Sequence, residues 1–148
     1  MAEFRFQLAT LLRLRQTARD ECRLRLAEAR RNEEDLRDRL TRLADERKRL
    51  QSRRRRAAPT GDVDVDGVVE IERYAAMLDS EESRLNTRLT TLAGEIDLHR
   101  QSLLKADREA QSLEKLRDKQ LHRHRREENR KEEKLQNETA LAVQSLGR

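Results

Sequence analysis

The chain has 148 residues, of which 34% are hydrophobic, 2% aromatic and 43% charged, with no Trp. A soluble globular domain carries about 45–50% apolar and about 25% charged residues, so a layered core is excluded and only a narrow apolar stripe along helices can be built. The net charge of +5 is uneven: residues 1–58 hold 18 Lys and Arg against 10 Asp and Glu, and residues 59–148 hold 16 against 19.

The two parts therefore attract each other, and the first can attract acidic partners. One Pro and four Gly leave few helix breakers, and the regular spacing of Leu argues for helix over disorder.

The first predicted element is a helix over 4–57. Its apolar positions advance in alternating steps of four and three: Leu8, Leu12, Cys22, Leu26, Ala29, Leu36, Leu40, Leu43 and Leu50. That spacing keeps one seam turned toward a partner helix. Arg15, Arg19, Glu33 and Arg47 interrupt the same seam, and their stems are expected to lie along it with the charges reaching water.

A tip loop is predicted over 58–66. Pro59 removes a backbone donor and turns Ala58 away from helix, and Gly61 and Gly67 suit a turn. Arg53 to Arg56 precede the loop and Asp62, Asp64 and Asp66 lie in it, each charge placed where the adjoining helix dipole favours it.

A second helix is predicted over 67–145. Its seam runs through Val68, Ile71, Ala75, Leu78, Leu85, Leu89, Leu92, Ile96, Leu103, Ala106, Ala110 and Leu113, with the best packing expected from Leu85 to Leu113. At about 1.5 Å per residue the helices would be about 80 and 115 Å long. Folded at the tip, residue i sits near residue 124 − i, so positions beyond about 122 have no partner. This overhang is charged from His122 to Lys134 and ends in Leu135, Leu141, Val143 and Leu146. The fold class is thus all-α: one long antiparallel two-helix coiled coil, a helical hairpin expected to be monomeric in isolation.

No catalytic constellation, cofactor motif or metal-ligand set is present. His122 and His124 are two apart and point to different helix faces, and His99 and Cys22 are read as seam residues. Cys22 is the only cysteine, so no internal disulfide can form. No apolar run approaches 18 residues, and Arg5, Arg13 and Arg15 interrupt any signal-peptide core; a cytoplasmic protein is expected. Arg53 to Arg56 are read as a solvated helix end, since nothing else suggests nucleic-acid readout. Tyr74, the one tyrosine, either anchors a partner beside the tip or caps the seam next to Ala75.

The termini carry a resemblance. Phe4-Arg5-Phe6-Gln7-Leu8, with Leu11-Leu12-Arg13-Leu14-Arg15, is similar to the opening of the FliJ family of flagellar export proteins. Leu113 to Lys119 and the run from Arg126 to Ala140 are similar to that family's end. The acidic Asp62-Val63-Asp64-Val65-Asp66 tip departs from the family pattern.

The resemblance implies a stalk of the flagellar type III export apparatus, held peripherally at the inner membrane and shaped like the central stalk of rotary ATPases. Its implied partners are the hexameric export ATPase, the membrane export gate and export chaperones, with no nucleic acid. The end with both termini is expected to enter the ATPase ring through Leu121, Arg125, Arg126, Arg130 and Leu135. The tip, with Leu43, Leu50, Tyr74 and Leu78, is expected to face another partner. The alternatives are an injectisome stalk and a generic coiled-coil scaffold.

Overall fold

The computed structural model describes residues 3–57 and 65–147. Two long helices pack against each other: α1, Ala9–Ala57, and α2, Val65–Leu146. The predicted turn at Pro59 and Gly61 lies outside the described residues.

Helix α1 starts at Ala9, not at residue 4. Residues 3–6 are irregular and 7–8 form a turn, closed by the Ala9 N–H donating to the Phe6 carbonyl at 3.1 Å. Phe4 is held from outside the helix by the ring of His124, with centroids 5.6 Å apart. Helix α2 starts two residues before the predicted 67. Asp66 sits in its first turn, where a carboxylate complements the positive end of the dipole. Gly67 is therefore helical and not a turn residue.

The molecule divides into two compact units. One comprises Cys22–Leu103. Its core joins Leu26, Ala29 and Leu36 of α1 to Leu85, Leu92 and Ile96 of α2, with Leu40, Leu89 and Leu103 packed against it. These are seam positions of the predicted repeat. Arg54 pairs with Glu72 at 2.8 Å, and Arg47 pairs with both Asp79 and Glu82. One heptad back along α1 thus means one heptad forward along α2, which is the signature of antiparallel register.

The other unit comprises Met1–Glu21 with Leu104–Arg148. Leu12, Ala106 and Ala110 are its buried apolar side chains. Here the small alanines of α2 leave room for the arginine stems of α1. Arg15 reaches Glu109 at 2.7 Å, and Arg19 reaches Glu114 at 3.2 Å and Asp107 at 3.7 Å. The arginine charges on the seam are thus met by carboxylates of the facing helix and not by water alone. An exposed ion pair such as Arg15 to Glu109 contributes about 0.2–1 kcal/mol, and the Arg19 pairs are part-buried. Their larger effect is on register, since a slip of the helices would separate them.

The Glu114 carboxylate is held below its ordinary value of 4.5, chiefly by the Gln16 side-chain amide donating to it and then by the Arg19 charge, against an opposing effect of partial burial. The Gln16 bond is 3.1 Å long. A depressed carboxylate pKa adds stability that is full above the unfolded-state value and disappears as pH falls through the folded-state value. Gln16→Ala should therefore lower Tm at neutral pH, with the deficit shrinking as pH drops below 4.5. A deficit unchanged with pH would show that Gln16 does not act through Glu114.

Candidate partner-binding surfaces

Two regions hold the residues that sequence reasoning assigned to partners, and the structure treats them differently. Near the predicted tip, Leu50 and Leu78 are only 4% and 5% exposed. Their apolar area is taken up by the helix pair, so neither presents a surface to a partner. Leu43 is half-buried. Tyr74 is also half-buried, and its hydroxyl donates to the Glu46 carboxylate of α1 at 2.8 Å. That bond, ahead of desolvation and the Glu46 charge, raises the Tyr74 phenol above its ordinary 10.0. Tyr74 thus ties the two helices together across the pair. What remains open around it is charge: Arg49 and Arg53 to Arg56 are all exposed.

At the other region, Leu121 is half-buried, while Arg125, Arg126 and Arg130 are exposed and Leu135 is 62% exposed. The irregular segment at Phe4 runs beside His124. An extended chain covers about 3.3–3.6 Å per residue against 1.5 Å for helix, so the amino-terminal residues reach further along α2 than a helix from residue 4 would. The unpartnered stretch consequently begins near 129, not at 122. From 129 to 147 every residue is exposed.

This stretch is helical to Leu146. Lys131 meets Glu128 at 3.9 Å, one turn back, and the Thr139 hydroxyl donates to the Leu135 carbonyl at 2.8 Å. At 100° per residue, Leu135, Ala142, Val143 and Leu146 fall on one face, and Leu141 falls on another. Leu146 is 86% exposed and Val143 64%. An apolar face of this kind on a helix with no packing partner is suited to bury against another protein, in the helix-in-groove manner. The grouping was hidden in the sequence because the apolar seam ends at Leu113 and Leu135, Val143 and Leu146 resume in a different phase.

Among the described residues no group of three or more His, Cys, Asp or Glu is placed to hold a metal ion, and no helix is long and apolar enough to cross a membrane. His122 is exposed, and His124 contacts Phe4.

A family model described as FliJ, Flagellar FliJ protein, matches residues 4–145, nearly the whole chain. No curated protein and no solved structure matches it.

Proposed function

The chain belongs to the FliJ family, whose members are components of flagellar biogenesis and type III protein export, and from that premise we propose that it acts as a stalk joining the hexameric export ATPase to the membrane export gate. The observation that carries the proposal is the helix that continues past its partner with all of residues 129–147 exposed. A helix this polar gains little by itself, since each intrahelical ion pair contributes only about 0.2–0.5 kcal/mol. It is best stabilised by a surface that covers Leu135, Val143 and Leu146.

In this reading the end bearing both termini enters the ATPase ring, with Arg125, Arg126 and Arg130 meeting acidic groups and the apolar face filling a groove. The turns where α1 finishes and α2 begins meet the export gate at the inner membrane, and export chaperones bind to the helix pair. The protein is a monomer when isolated, because its seam is satisfied within one chain.

Co-purification from the native organism with tagged ATPase, gate and chaperone tests this reading. Light scattering on the pure chain supplies a second check. Recovery of the ATPase with a monomeric chain is expected. A stable homodimer that recovers none of the three would favour a generic scaffold and sink the stalk.

A further inference from the structure

We propose that the end of the pair formed by the last turns of α1 and the first turns of α2 is a docking surface for an anionic lipid bilayer. Lys48, Arg49, Arg53, Arg54, Arg55 and Arg56 place six cations in nine residues with no carboxylate between them, and all six are exposed.

The ion pair from Arg54 to Glu72 at 2.8 Å sets the first turns of α2 directly beside this cluster. Glu72 lies three, four and seven residues after Val69, Val68 and Val65, so all four share one helix face. The three valines are exposed, at 42%, 42% and 66% respectively. Asp66 and Glu70 fall on a different side at 100° per residue. Glu72, the one carboxylate among the valines, is occupied by Arg54.

A strip of exposed valines flanked by clustered guanidinium groups matches the interfacial region of a membrane. Apolar side chains enter the acyl boundary there while cations meet phosphate headgroups. Nucleic acid fits less well. Tyr74 is the nearest aromatic and its hydroxyl is committed to Glu46, so no stacking platform is available, and a phosphate backbone gives the valines nothing to bury against.

The inference rests on the stalk reading only for which membrane is met. Its test contains no ATPase, so the two can fail separately. The full chain is sedimented with vesicles of phosphatidylcholine alone and of equimolar phosphatidylcholine and phosphatidylglycerol.

Binding to the anionic vesicles only, weakening with added salt, is expected. Replacing Arg53, Arg55 and Arg56 together by Gln should reduce binding on the order of 100-fold, and Arg55→Gln alone roughly fivefold. Arg54 is kept so that its bridge to Glu72 persists, and circular dichroism should show unchanged helicity. Changing Val65, Val68 and Val69 to Ser should reduce binding on the order of 10-fold. The proposal is overturned by no sedimentation with anionic vesicles at low salt, by arginine or valine variants that bind like the parent, or by duplex DNA binding that tracks the arginines and competes the vesicles away.

Discussion

Removing residues 129–148 should reduce affinity for the export ATPase on the order of 100-fold, about 2.7 kcal/mol, while leaving the melting of the remaining helix pair nearly unchanged. The two halves of this expectation have separate causes. Residues 129–147 are all exposed, and their contacts are local, among them Lys131 to Glu128, Thr139 to Leu135 and Ser145 to Ala142. Cutting them away removes no buried seam residue, so the two-helix core keeps its stability. The same residues carry Leu135, Val143 and Leu146 on one face, each more than half exposed. Fully burying side chains of this size stabilises a complex by about 1.5–3 kcal/mol each before the costs of ordering and association. A truncated chain that binds the ATPase as the full chain does would remove the carboxy-terminal helix from the ring contact. A truncated chain that melts far lower would show instead that the stretch belongs to the core.

Leu85→Ala should cost the isolated protein about 3 kcal/mol, within the range for emptying a buried leucine site. Leu85 is 2% exposed and central in the cluster with Leu26, Ala29, Leu36, Leu92 and Ile96. The core is one side chain wide, so a cavity there cannot be filled by a second layer. Leu98→Ala, at a position 63% exposed on the same helix, should change stability by no more than about 0.5 kcal/mol. Urea or thermal unfolding of the two variants checks the pair. Equal losses would mean that the alternating seam is not what holds the helices together.

Most of the fold could be read in the sequence because a coiled coil writes its packing as a spacing. Leu26, Leu36, Leu85 and Ile96 were placed on the seam from the four-three pattern alone, and they form the buried cluster. The charged seam positions were legible as interruptions, but not as ion pairs, because spacing within one helix does not say which carboxylate faces Arg19 or Arg47. The start of α1 was misplaced by five residues; the tilted contact of Phe4 with His124 joins residues 120 positions apart and is invisible to local pattern. That contact also moved the start of the unpartnered helix from 122 to 129.

The candidate surfaces were less legible than the fold. Leu50 and Leu78 were assigned both to the seam and to a partner, and burial gives them to the seam. Tyr74 was left between a partner anchor and a cap on the seam, because nothing in its neighbourhood in sequence names Glu46 as its partner. The valines at 65, 68 and 69 went unused as a surface. Their meaning depends on the arginines of the other helix, brought beside them by the Arg54 to Glu72 pair.

Engagement of the ATPase ring by the carboxy-terminal helix is tested most directly by a titration of the full chain into the export ATPase from the same organism, with ring assembly followed by light scattering alongside the rate of ATP hydrolysis. Hexamers should accumulate and hydrolysis should rise, saturating near one chain per ring, and neither should happen with the chain ending at residue 128. Assembly and hydrolysis unchanged by the full chain, or raised equally by the shortened one, would contradict it.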